Sequence, residues 1–329
     1  MSVNDAQLKD VLQEGIASAA SALTTALLRD APRMLAEQRM LRSAFEDRLS
    51  ARWGKALDLF ETILVIAQEA GAAYNQQGRP QAAEERDLVF DVLTRLQARA
   101  CLTASEVGAL LRSGHADAGM SRWRTLHEIA VVAGFIKDRG RDVAERYLLH
   151  EVIESLKAAE QYETYHDRLG QDPLEPDQLR QLRAQRDSLI QQFGKEFGGQ
   201  YGWAATELNS LSPSIEQLER ATRLDHMRPY YRMASHGVHP NPKGIAFSLG
   251  NRAPQEMMLA GPSNAGLCDP GHATLISLTL CTVTLLTLTP DVQALVTCQA
   301  LLQLTDAAGQ AFLDTHHELK AQEDASHQE

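Results

Sequence analysis

The chain has 329 residues and a net charge of -11, with 44% hydrophobic residues and only 5% aromatics. It is long enough for one large domain or two modest ones and apolar enough to bury a core. The acidity argues against a long nucleic-acid groove and against docking on an anionic membrane, since both need a basic excess, while leaving room for a local basic patch. The apolar residues are dominated by Ala and Leu, and runs of β-branched residues are scarce before residue 270. That balance favours helices, so the fold expected is all-α, a multi-helix bundle with long antiparallel helices.

In chain order, an amphipathic helix is expected from Asp5 to Leu28, interrupted at Asp30-Ala31-Pro32. A second runs to Trp53 and a third from Lys55 to Tyr74. Asn75 to Pro80, with Gly78 and Pro80, reads as a turn and as the best boundary in the chain. The expected organisation is therefore an N-terminal helical segment (1–80), a helical bundle (81–319) and a polar, disordered tail (320–329).

The clearest element is a helix from Gln81 to Arg112. Val89, Leu93, Leu96, Ala100, Thr103, Val107 and Leu110 alternate spacings of four and three, the seam of a helix packed on other long helices. Further helices are expected from Asp117 to Lys137, from Arg141 to Leu169 and from Glu175 to Phe197. Ser212-Pro213 reads as an N-cap with Pro at the first helical position. A helix then runs from Met227 to Gly237. His239 to Gly244 holds two prolines and is expected to be non-helical, and Ile245–Leu249 with Met257–Leu259 could form a small hairpin within a long Gly/Pro-rich loop. Two helices close the chain. The first includes Ala273 to Thr289, whose six Thr, one Ser and short length mark a buried core helix rather than a membrane span.

No signal peptide is read at the N-terminus, and Cys101, Cys268, Cys281 and Cys298 form no CxxC pair, so a reducing cytoplasm is the expected compartment. No P-loop, Rossmann, GxSxG or HExxH motif is present, so no cofactor is expected. Glu163-Thr164-Tyr165-His166 has the ExxH spacing of di-iron bundles, but such a site needs two of these motifs, so no metal is expected either.

Two segments concentrate chemistry. In Ser121 to Glu128, Arg124 and Glu128 stand four apart, can pair on one helix face, and have His127 beside them. The pair could equally fix helix register. In Tyr230 to His239, Arg232, His236 and His239 fall on one stripe if the last turn holds before Pro240. Imidazoles move protons near neutrality and Arg stabilises phosphoryl charge, although His near a helix end also caps carbonyls. Glu106, on the preceding helix, is a further acidic neighbour.

Ala98–Gly114, Ser121–Glu128, Tyr231–Pro240 and Gly261–Pro270 carry a resemblance. Across Leu88 to Leu288 the chain resembles the bacterial family known as domain of unknown function 5677, which brings no activity with it. It also resembles, more loosely, the helical HEPN (higher eukaryote and prokaryote nucleotide-binding) superfamily. Many members of that superfamily are metal-independent ribonucleases of toxin or antiphage systems, with Arg, four to six residues, then His near a dimer interface. Arg122 with His127 and Arg232 with His239 satisfy that count, with Trp123 and Met233 where the superfamily usually has a polar residue. The resemblance implies an RNA substrate, a homodimer and catalysis by Arg232 and His239, assisted by His236 and Tyr231, with Arg124, His127 and Glu128 as a supporting polar layer. The alternative expectation is a non-catalytic helical module that binds a protein partner or small ligand.

Overall fold

A computed structural model describes residues 5–251 and 259–326. Its helices are α1 (Asp5–Glu85), α2 (Leu88–Arg112), α3 (Ala116–Arg139), α4 (Arg141–Leu149), α5 (Glu151–Leu169), α6 (Pro176–Phe193), α7 (Ala205–Leu208), α8 (Ile215–Ala221), α9 (Arg228–Val238), α10 (Pro242–Ala246), α11 (Cys268–Leu286) and α12 (Val292–Ser326). No strand occurs among the described residues, so the all-α expectation holds. Two compact units are present, Met1–Arg52 and Trp53–Glu329, and the boundary expected at residue 80 falls inside α1.

The second unit is built around α3, which packs against α2, α11 and α9. Trp123, Leu126, Val131 and Ile136 of α3 are fully buried. The seam read along α2 is the packed one: Leu93, Leu96, Ala100, Thr103 and Val107 are buried. Where α2 meets the second half of α1, the Gln97 amide donates to the Ala67 carbonyl at 2.8 Å. Ala273, Leu275, Leu278 and Cys281 of α11 are buried, as expected for a core helix rather than a span. Its hydroxyls find partners inside the protein: Thr282 Oγ1 donates to the Leu278 carbonyl, and Thr279 bonds Thr305 of α12.

The structure corrects several boundaries. α1 is continuous where three helices and a turn are expected. Pro32 removes only the bond to the Leu28 carbonyl, on a stretch exposed to water. At Asn75–Pro80 the helix is held from outside: Arg79 donates to Asn75 and Thr94 and pairs with Asp91 at 2.7 Å. Gly78 is there for close approach, since a Cβ would lie 2.6 Å from the Phe90 ring. The chain turns instead at Arg86, with φ 51°, and Asp87 caps α2 by accepting from the Phe90 amide.

The long helix expected from Arg141 to Leu169 breaks at His150, whose Nε2 bonds the Gly199 carbonyl at 2.8 Å. α8 is capped by Ser214, not Ser212, because Gln217 three residues on completes a capping box. Part of the segment expected to be non-helical is α10: Asn241 caps it through the Gly244 amide, with Pro242 at its first turn. Ile245 and Ala246 belong to that helix, and Met257 of the expected hairpin lies outside the described residues. Residues 320–326, expected to be disordered, extend α12.

Trp123 Nε1 donates to Ser277 Oγ at 3.0 Å, a buried bond that ties α3 to α11. Ser277→Ala leaves that indole N–H without a partner and is expected to destabilise the protein by about 1–3 kcal/mol in urea denaturation.

Candidate functional site

Arg122, Arg124, His127 and Glu128 all stand on α3, with Arg124 and Glu128 on one face. Arg122 pairs with Glu106, fastening α3 to α2. That pair stands apart from the cluster around Arg124. Arg124 and Glu128 pair as their spacing predicts, at 3.4 Å, though Arg124 Nε is too misaligned for a hydrogen bond and has no hydrogen-bond partner. The Arg124 guanidinium lies 4.7 Å from the ring centroid of Tyr231 on α9. The Tyr231 hydroxyl donates to Glu128 Oε1 at 2.5 Å.

His127, expected beside the Arg124–Glu128 pair, instead points into the core. It is 2% exposed, and its Nε2 lies 3.0 Å from Oε1 of the fully buried Glu219. The other oxygen of Glu219 accepts from Arg228 Nη1 at 2.9 Å. The Arg228 guanidinium in turn sits 5.1 Å from the Tyr231 centroid. α3, α8 and the start of α9 are thus locked by one buried carboxylate. The sequence reading missed Glu219 and Arg228. A signal existed: Glu219 follows Ile215 by four and Leu218 by one, on the apolar face of α8, where a carboxylate needs partners.

Above this array a cavity of about 490 Å³ opens, lined by Arg124, Lys195, Tyr201, Ser212, Ser214 and Tyr231. Tyr201 comes from the irregular Gly-rich stretch before α7 and was also missed. Burial, then the Glu128 charge, pushes the Tyr201 phenol well above its ordinary value. Burial and the bond to Glu128 push Tyr231 up to about 12. Both phenols therefore stay protonated and act as donors at neutral pH. Burial works against the Arg124 charge, but Tyr231 and Glu128 outweigh it and its pKa is raised.

A second cavity, of about 450 Å³, is lined by Asp117, His236, Gly237, His239, Ser248 and neighbouring residues. The expected Arg232–His236–His239 helical stripe breaks at its last member. α9 ends at Val238 and His239 is extended, with φ -114° and ψ 134°, because the residue before a proline disfavours helix. Both imidazoles nevertheless line the same cavity. Asn241 Nδ2 lies 3.1 Å from His236 Nδ1 and orients that ring. Asp117 accepts from Ser248 Oγ at 2.5 Å and from the Leu249 amide at 2.9 Å, holding the cavity wall. Arg232, one turn before His236, is exposed and makes no hydrogen bond or ion pair among the described residues. The site residues read from the sequence are thus divided: His236 and His239 in one cavity, Arg124 and Tyr231 in the other, and His127 beneath.

Among the described residues no group of three or more His, Cys, Asp or Glu could hold a metal ion. The ExxH pair is local, His166 Nε2 lying 4.0 Å from Glu163.

The class defined so far is an all-α bundle with polar cavities beside one short helix. A family model described as "Family of unknown function (DUF5677)" matches residues 90–257, which include α2, α3, α8 and α9, and the chain belongs to that family. No curated protein and no solved structure matches it.

Arg228→Ala strands the buried Glu219 carboxylate and is expected to cost about 3–5 kcal/mol in denaturant unfolding. Replacing the whole buried array, Arg228→Met, Glu219→Leu and His127→Leu, leaves none of its polar groups unpaired and is expected to recover part of the loss.

Proposed function

We propose that the protein is a metal-independent endoribonuclease of the HEPN type, and that His236 and His239 are its acid–base pair. The observation that carries this reading is that two imidazoles line one open cavity, with Arg232, which makes no ion pair among the described residues, one helical turn before His236. One imidazole takes the proton from a ribose 2′-hydroxyl. The freed oxygen attacks the adjacent phosphorus, and the bond from phosphorus to the 5′-oxygen breaks. The second imidazole delivers a proton to that leaving oxygen, and the product carries a 2′,3′-cyclic phosphate. Arg232 offers a guanidinium to the charge that grows on the phosphate. In this reading the protein acts in the cytoplasm, as a toxin or antiphage effector.

A second reading, a binding module for a small anionic ligand, is favoured by one specific observation. Arg124, whose guanidinium lies over the Tyr231 ring, and Lys195 both line the cavity that Tyr201 and Tyr231 share.

One assay separates the two. Purified protein is incubated with a mixed RNA pool in excess chelator, beside His236→Ala, His239→Ala and Arg124→Gln variants checked for fold by circular dichroism. Cleavage that leaves cyclic phosphate ends and falls about 100-fold or more in either His variant, but not in Arg124→Gln, is the expected result. RNA left intact by the parent protein contradicts the ribonuclease reading and leaves the binding module.

A further inference from the structure

Asn241, the cap of α10, is held at three points beside the two candidate imidazoles. Its backbone amide donates to the His239 carbonyl at 2.7 Å, its Oδ1 accepts from the Gly244 amide at 2.8 Å, and its Nδ2 lies 3.1 Å from His236 Nδ1. Gly244 seats this turn on the end of α9, since a Cβ there would collide with the His236 carbonyl.

The chemistry of these groups leaves one assignment of the proton. A backbone amide only donates, so the atom that meets Gly244 is the side-chain oxygen of Asn241. Its NH2 group is thereby turned to His236, and that group too only donates. Nδ1 of His236 therefore accepts, and a neutral imidazole that accepts at one nitrogen carries its hydrogen on the other. That other nitrogen, Nε2, has no hydrogen-bond partner among the described residues, on a ring that lines the cavity. Turning the Asn241 amide over would set N–H against N–H at Gly244 and cost α10 its cap.

We infer that Asn241 is a positioning residue that fixes His236 as the Nε2–H tautomer, a hydrogen-bond donor in the cavity its ring lines. Such a ring binds an acceptor oxygen but does not relay a proton. To take a proton at Nε2 it must start with its hydrogen on Nδ1. To act as an imidazolium acid at Nε2 it must start and end with a hydrogen on Nδ1. Both routes set a ring N–H against the NH2 of Asn241, which therefore restrains proton transfer through His236 until that amide turns away. The effect on cleavage rests on the ribonuclease reading; the place of the proton does not.

The test uses the full-length protein with isotopically labelled histidine. Long-range proton–nitrogen NMR spectra are recorded at mildly alkaline pH, and His236→Gln identifies the signals of this ring. The parent is expected to show a bare Nδ1 and a protonated Nε2. Asn241→Asp keeps the oxygen that meets Gly244 and sets an acceptor against Nδ1, so the hydrogen is expected to move to Nδ1. Asn241→Ser keeps a capping hydroxyl and removes the NH2, so a mixture of tautomers is expected. RNA cleavage is expected to rise about 10-fold in both variants, the factor by which loss of one good hydrogen bond shifts an equilibrium. A parent ring with its hydrogen on Nδ1, or an Asp variant whose hydrogen stays on Nε2, overturns the assignment. Variants with the expected tautomers that cleave no faster than a cleaving parent overturn the restraint. RNA left intact by parent and variants alike contradicts the ribonuclease reading alone, because the spectra still decide where the proton sits.

Discussion

The fully buried Glu219 carboxylate is the constraint on which the rest of the polar architecture depends. An ionised carboxylate out of water is tolerated only when partners replace its hydration. Here one oxygen is met by His127 from α3 and the other by Arg228 from the first turn of α9. α3 is thereby joined, across 92 residues of chain, to the neighbouring helices α8 and α9 at one point. Hydrophobic burial supplies the bulk of the stability of α3, but it is non-directional. The directional bonds of Glu219 fix how α9 lies on α3.

That placement of α9 generates both cavities. Tyr231 follows Arg228 by three residues, so it projects over the same side and bonds Glu128 while Arg124 and Arg228 approach its ring. His236 is five residues further on, about 500° of rotation, and so faces a different side. One helix thus carries an aromatic–guanidinium cluster toward one cavity and an imidazole toward the other. The break at Val238 before Pro240 then turns His239 back toward the cavity that His236 lines. A helix continuing past that point would have aligned Arg232, His236 and His239. The proline places His239 in the cavity wall instead, while Arg232 is exposed and does not line that cavity.

Much of the fold was legible in the sequence because it is written in local periodicity. The seam of α2, the burial of the Thr-rich α11 and the Arg124–Glu128 pair follow from spacings of three and four residues, which a helix converts directly into shared faces. The errors arose where a distant residue overrode a local signal. Gly78 and Pro80 look like a turn, but Phe90 needs the space that Gly78 leaves and Asp91 holds Arg79. His127 has the spacing to join Arg124, but its partner Glu219 is 92 residues away. Arg228 and Tyr201 carried no local pattern at all, since their importance comes only from the partners that the fold brings to them.

The dependence of α9 on Glu219 is open to direct measurement by hydrogen–deuterium exchange on the full-length protein and a Glu219→Ala variant. If Glu219 locks α9, amides of residues 215–238 lose protection in the variant, while those of α2 and α11 keep theirs. Unchanged protection across α9, or a uniform loss through the whole core, would show that the buried carboxylate does not set the position of this helix.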